Sequence, residues 1–345
     1  MYIINFELCN FVRVVDKQVP GMAYLSTSLQ KTLQNDKVEV VQADISVLEH
    51  AERAFSGVHF SLVINLASET QYGHFDSKYE RNILQLRTLC ARIASLHGVE
   101  KYIEVSTSQV YDGTNDKKST EKSKLKPWTV MAKYHLAAEN AIREFDLPFV
   151  VLRLPIVYGP GDLRGLMPRI ICAAVYEYTR EKMEFLWGED LRMNTVHVQD
   201  AAASIWHLCC VGEVGETYNL VDDNDTSQGK FNDLLESMFQ VQTGFYGTIM
   251  SNLAQLKLEE LVDEANDGHL TPWNEMLRAA GITATPLNPY LEKELLYNNP
   301  LSIDGSKLKS TGFQCSCPLV TPELLADSLQ YWKDLKLFPS GTASK

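Results

Sequence analysis

Residues 101–162 carry three pieces that decide the fold: KYIEVSTSQVYDG (101–113), PWTVMAKYHLAAENAI (127–142) and PFVVLRLPIVYGPGD (148–162). The first opens with a short apolar run, Tyr102 to Val105, and ends in three hydroxyl residues, Ser106, Thr107 and Ser108. The second is rich in Ala, Leu, Glu and Lys and has no internal Gly or Pro, which predicts a helix. The third holds an unbroken apolar run, Phe149 to Leu154, of the kind shown by a strand buried on both faces. Tyr158-Gly159-Pro160-Gly161 then signals a turn. Strand, helix and strand at this spacing form a right-handed βαβ unit. Open sheets built this way place ligands at the carboxyl ends of their parallel strands.

These pieces resemble the extended short-chain dehydrogenase/reductase family, the NAD-dependent sugar epimerases and dehydratases. STSQVYDG is similar to that family's catalytic strand end, S-[ST]-x-x-VYG, and puts Thr107 on the catalytic hydroxyl with Ser108 on the substrate side. RLPIVYGPGD is similar to the strand after the catalytic helix, with Pro155 on the cofactor side. The resemblance implies a doubly wound, Rossmann-type α/β sheet with a smaller C-terminal α/β substrate domain. It departs from the family at two points.

The first departure is in the catalytic helix, where the family carries Tyr-x-x-x-Lys. Lys133 fits the Lys, which in the family binds the nicotinamide ribose, but Thr129 stands where the Tyr belongs. A Thr hydroxyl is too weakly acidic for general acid–base work near neutral pH. Tyr178-Thr-Arg-Glu-Lys182 repeats the spacing outside the strand–helix context and reads as coincidence. The second departure is the glycine-rich loop after the first strand. The first glycine here is Gly21, already past FVRVV (11–15) and Asp16, the strand end that resembles the family's second. Only Glu7 to Asn10 separate Met1–Phe6 from that strand, and a parallel crossover needs about a dozen residues. Residues 1–10 therefore resemble the tail of the first helix, and the sheet is expected to be incomplete at its start.

Composition bounds the rest. The chain has 345 residues, 45% of them hydrophobic, so it can bury a large core. Net charge is −12, which argues against nucleic acid or an anionic membrane as main partner. The seven Cys lack metal-ligand spacing, so no metal site is expected and reduced thiols are the plain reading. No apolar run approaches bilayer length, and a cytoplasmic location is the default expectation.

Further positions take roles only through the resemblance. Asp16 would hold the adenosine ribose and favour NAD over NADP; a turn Asp is the alternative. VEVVQA (38–43) leads to Asp44 and Ile45, which would lie under the adenine, unless Asp44 is a helix cap. SLVINLA (61–67) would bring Leu66 and Ala67 beside the pyrophosphate. Tyr72 would face the substrate, with packing as the alternative reading. Arg192 would meet a substrate diphosphate, His197 reads as packing, and Asp200 would cap the helix that follows MNTVHVQD (193–200). Helices are expected near 48–55, 80–97, 166–178, 231–239, 253–265, 273–280 and 322–332. The domains expected are 1–163 with about 190–221 for the cofactor, and 164–189 with 222–345 for the substrate.

The leading function is hydride transfer between NAD and a nucleotide-sugar or similar polar substrate, impaired by Thr129 and the absent loop, with NAD binding weakened or lost. The rival is a non-catalytic binding member or an inactive truncated form. A homodimer stays open.

Overall fold

The computed structural model describes residues 2–340, apart from the side chains of 248–250, 252, 253 and 255. The apolar runs become strands β1 (Val12–Asp16), β2 (Val38–Gln42), β3 (Leu62–Asn65), β4 (Lys101–Thr107), β5 (Phe149–Leu154), β6 (Ile156–Tyr158), β7 (Met183–Phe185), β8 (Thr195–His197), β9 (Thr217–Asn219) and β10 (Thr243–Phe245). The helices are α1 (Tyr2–Asn5), α2 (Thr27–Leu33), α3 (Leu48–Phe55), α4 (Asp76–Tyr79), α5 (Leu86–Leu96), α6 (Val130–Ile142), α7 (Met167–Thr179), α8 (Val198–Val211), α9 (Gln228–Met238), α10 (Thr248–Ala279), α11 (Ser306–Ser310) and α12 (Pro322–Asp334). Between α4 and α5, residues Glu80–Gln85 wind as a π-helix within the helix expected at 80–97. The two helices expected at 253–265 and 273–280 are one run, α10, which breaks at Lys257 and continues through Pro272. No described helix is long and apolar enough to cross a membrane.

The main sheet is parallel, in the order β3-β4-β5-β9, and β1-β2 form a separate parallel pair. Helices α3, α5 and α6 cover one face, where Ala51, Phe55, Ala91, Ile142 and Val151 pack together. Helix α8 and the 308–313 segment cover the other, over Ile103, Val150, Leu152 and Tyr218. This is the doubly wound arrangement expected. A further core gathers α7, α9, α12 and Trp273, with Ile170, Ile171, Phe231, Leu325 and Trp332 fully or nearly fully buried.

Helix α7 starts on a carboxylate. Asp162 accepts from the amides of Arg164, Gly165, Leu166 and Met167, which satisfies donors a helix start leaves free. Gly159 sits at φ +127°, where a Cβ would come within 2.9 Å of the His197 ring, so this turn admits glycine alone. The Asp200 expectation is corrected here. The His197 ring caps α8 by accepting from the Gln199 amide. Asp200 reaches across instead and accepts from the amides of Ser316 and Cys317 and from the Ser316 hydroxyl. A carboxylate one turn into a helix can serve a distant backbone when another group already occupies the cap.

Strands β1 and β3 both lie against the α3/α5 core, through Val15 and Val63. Each pairs on one edge only, β1 with β2 and β3 with β4. No residue of β1 is fully buried, and in β3 only Asn65 is, whereas Ile103, Val150, Val151 and Leu152 are completely covered. The break between β1 and β3 falls where the sequence places an incomplete sheet. Unpaired edges lower local stability. Native-state hydrogen exchange is therefore expected to be at least about tenfold faster for β1 and β2 than for β4 and β5, a gap of about 1.4 kcal/mol in opening free energy. Equal protection of the two pairs would show one cooperative sheet instead.

Candidate functional site

The site is built where β4 ends and α6 begins. Thr107 closes β4, half-buried, and its hydroxyl accepts from the Gln109 amide at 3.2 Å. Ser108 beside it is fully buried, and its Oγ has no hydrogen-bond partner among the described residues. Thr129 is the N-cap of α6, accepting from the Ala132 amide at 3.1 Å. Its own proton goes to Gln109 Oε1 at 2.9 Å. The Gln109 amide nitrogen donates to the Tyr72 hydroxyl at 2.8 Å. One carboxamide thus gathers Thr129 and Tyr72 beside Thr107 and Ser108.

The tyrosines near this point are committed. Burial pushes the Tyr72 phenol up to about 12, against the opposing hydrogen bond from Gln109. Tyr111 is buried, donates to Asn219 Oδ1 at 2.7 Å and accepts from Arg153 at 2.8 Å. Tyr178 lies on α7 and donates to Glu275 at 3.1 Å, outside this cluster.

Lys133 is not brought to Thr107. Its side chain is 62% exposed and bonds Asp76 at 3.2 Å, beside the Tyr134 hydroxyl, which donates to the same carboxylate. The face of α6 turned inward carries Met131, His135, Ala138 and Ile142. Met131, packed with Tyr72 and Tyr79, and His135, bonded to Ser68 beyond β3, are a buried pair one turn apart on this face. The His135 ring meets Ser68 Oγ at 3.1 Å, and Ser68 donates to the Glu69 carbonyl at 3.0 Å. That leaves Ser68 to accept from His135 Nε2–H, so Nδ1 bears a lone pair with no donor. Burial, then the nearby Arg87 cation, hold this imidazole well below its ordinary value.

Two buried ion pairs brace β4 from below. Arg87 of α5 pairs with Glu104, which also accepts from Asn65 at 3.1 Å. Arg153 of β5 pairs with Glu139 of α6 at 2.6 Å, and Ser106 donates to the same carboxylate. Burial raises the Glu104 carboxyl, against the Arg87 cation that favours its charge.

The positions assigned to the cofactor lie along the same edge. Asp16 is exposed and accepts from the Gln18 amide at 2.8 Å. Burial works to raise the Asp44 carboxyl, but the Ser46 hydroxyl and amide and the Arg81 cation together hold it below its ordinary value. Ile45 packs on the α3/α5 core, and Leu66 is 60% exposed at the end of β3. The Ala67 amide donates to Asn65 at 3.2 Å, and Pro155 is half-buried between β5 and β6. Arg192 stands apart, held by Asp225 at 3.6 Å. A cavity of about 630 Å³ lies nearer α10, lined by Trp187, Lys257, Glu259, Lys293, Tyr297 and Asn299 among others. No His/Cys/Asp/Glu group suited to a metal occurs among the described residues. Sequence spacing had not singled out Gln109 or His135; the inward periodicity of α6, with Glu139 four residues beyond His135, is the signal that finds the second.

Residues 8–220 match the family model described as the NAD dependent epimerase/dehydratase family. The mouse dTDP-D-glucose 4,6-dehydratase is 26% identical over 206 residues, covering 56% of each chain. The human protein of the same name is 23% identical over 257 residues, 72% of this chain and 69% of that one. The chain thus matches little more than half the length of the mouse relative. Among solved structures, the dTDP-glucose 4,6-dehydratase DesIV of Streptomyces venezuelae, with NAD and TYD bound, superposes with TM-score 0.68 at 16% identity, covering 94% of this chain and 88% of that one. A UDP-glucose 4-epimerase of Thermotoga maritima, with UDP-glucose, gives 0.66 at 18% identity, with 96% and 94% covered. These two likenesses establish the fold.

Two outcomes follow from the geometry. Glu139→Ala leaves Arg153 buried without its partner and is expected to lower unfolding free energy by about 3–5 kcal/mol in urea denaturation. His135 folds neutral with its pKa depressed, so the unfolded chain takes up a proton first as pH falls. Its contribution is full above its ordinary value of 6.5 and is lost as pH drops below it. Stability measured at about pH 7.5 and about pH 5.5 should fall more in the parent than in His135→Gln; parallel losses would assign the pH dependence to other groups.

Proposed function

Because the chain belongs to the NAD-dependent epimerase/dehydratase family, we propose that it binds a nucleotide-sugar or similar nucleotide-linked substrate at the strand ends, with its hydride-transfer chemistry impaired. The observation that carries this reading is the Gln109 cluster. The hydroxyl in the expected acid position, Thr129, is a helix cap donating to Gln109, and Tyr72 and Tyr111 are bound within the fold. No free phenol remains beside Thr107 among the described tyrosines at this site. Thr107 would hold the substrate hydroxyl, with Ser108, Tyr72 and Arg192 on the substrate side.

The cofactor proposed is NAD, preferred over NADP because Asp16 would repel a 2′-phosphate. The acceptors and apolar surfaces at Asp16, Asp44, Ile45, Leu66, Ala67 and Pro155 fit an adenosine half. Lys133 would reach the ribose only by leaving Asp76, an exposed pair that solvent screens. The connection from β1 to β2 carries a single glycine, Gly21, so it offers a diphosphate no glycine-rich cradle. NAD would supply the hydride acceptor when bound; this chain's residues would orient the substrate hydroxyl. Residues 1–163 with 190–221 would form the cofactor half and 164–189 with 222–345 the substrate half of a cytoplasmic protein. The second reading, a non-catalytic binding member, is favoured by the same Gln109 cluster.

Calorimetric titration with NAD, NADH and NADP is expected to show weak or undetectable binding, with NAD ahead of NADP; tight NAD binding would reveal a phosphate site elsewhere. Hydride transfer, followed as NADH absorbance with UDP-glucose or dTDP-glucose, should be very slow in the parent. A gain in Thr129→Tyr would place the missing acid where the sequence does, whereas a gain only in Met131→Tyr with His135→Lys would place it on the inward face of α6. Brisk turnover by the unmodified chain would sink the impaired reading.

A further inference from the structure

Residues 291–296 run between the cavity and the N-terminus of α6 and touch both. On the inner side, Glu294 Oε1 accepts from the amide of Val130, the first residue of α6, at 2.8 Å. Leu295 packs on Tyr72, Tyr79, Ile83 and Met131. Glu292 lies so close to the 71–75 loop that a Cβ on Gly73 would meet its carboxylate at 2.8 Å. On the outer side, Lys293 lines the cavity and bonds Glu259 of α10 at 2.8 Å. Both ends are tied back. The backbone of Leu291 exchanges hydrogen bonds with Asn266 at 2.7 and 3.0 Å, and Trp187 Nε1 donates to the Leu296 carbonyl at 2.9 Å.

The attachments differ in strength. The ends are fixed by neutral groups, the buried Asn266 and the half-buried Trp187 indole. The middle rests on the Glu294–Val130 amide bond, the Leu295 contact, the approach of Glu292 to Gly73 and an exposed Lys293–Glu259 pair that solvent screens. Burial, with Glu292 and Asp76 nearby, works against the Glu294 charge that the Val130 amide favours. A segment anchored at its ends and lightly held at its centre can bow outward without losing its anchors.

We propose that residues 291–296 form a strap walling the cavity off from the strand ends, and that it bows aside so that one ligand can span both. This rests on the proposed function: the nucleotide end would take the cavity, whose volume suits a small molecule, and the sugar end the space beside Thr107 and Met131. UDP alone would leave the strap shut, whereas UDP-glucose would displace it.

The test uses the full chain and two readouts: hydrogen exchange at the Val130 amide and tryptic cleavage after Lys293. Without ligand, Glu294→Ala and Leu295→Ala should raise both by about tenfold. Glu294→Gln keeps an acceptor oxygen and should stay near the parent. Trp187→Phe frees the far end and should raise cleavage while sparing Val130. Unchanged exchange and cleavage in Glu294→Ala would overturn the strap, and if that variant does not fold, equal cleavage in parent and Trp187→Phe would do so. With ligand, UDP-glucose should raise both readouts in the parent and UDP should not. Binding of UDP-glucose with neither readout changed overturns the gate. Failure of both nucleotides to bind counts against the proposed function, while the ligand-free variants still decide the strap.

Discussion

The site depends on one buried ion pair. Glu139 and Arg153 join α6 to β5 at 2.6 Å, almost wholly excluded from water. Two charges so placed tolerate each other only if their remaining hydrogen-bonding capacity is filled. Ser106 fills one position on Glu139, while Tyr111 takes a guanidinium proton and passes its own to Asn219 of β9. Asn219 then donates to the carbonyls of Ser119 and Asp304. The chain of bonds crosses from α6 through β4, β5 and β9 to the loops over them. It fixes the height of α6 against β4, and so decides which helix residues meet Thr107 and Ser108.

That height also decides what the site lacks. With Glu139 pinned beside Ser106 and Thr129 pinned at Gln109, the helix face between them presents Met131 and His135. Neither offers a phenol. The hydroxyls gathered above them are shared through one carboxamide, and the Tyr72 proton is held more tightly by burial. Such a cluster is suited to hold a shape. Proton transfer to or from a ligand would first require breaking a bond that the fold already uses.

Much of this was legible in the chain. The apolar runs at 102–105 and 149–154 gave their strands because both faces are buried, and KYIEVSTS placed its hydroxyls at a strand end without further help. Asp16 ends β1 and Asp44 follows β2, as the short apolar runs before them predicted. What spacing could not give was side-chain direction. Lys133 lies at a plausible distance from Pro127, but a helix turns its side chains by about 100° per residue, and position 133 points to Asp76 and solvent. Asp200 looked like a cap because it opens a helix; His197 had already taken that place. Gln109 and Glu294 were invisible for another reason. Their partners are 20 and 164 residues away, and nothing local marks a residue whose use is entirely tertiary.

The break between β1 and β3 bears on the same question from the cofactor's side. In an open α/β sheet, a dinucleotide's charge is met by backbone amides where a central strand turns into its helix. Here the two strands that flank such a position are each paired on one edge only, and α1 packs on α8 nearby. Asp16 and Asp44 are acidic, and the Arg81 and Lys17 cations both act on Asp44, Arg81 by a direct bond. The electrostatics of that edge and the bonds already made by Thr129 and Tyr72 therefore describe one condition: the carboxylates and hydroxyls near the strand ends are engaged by the fold itself.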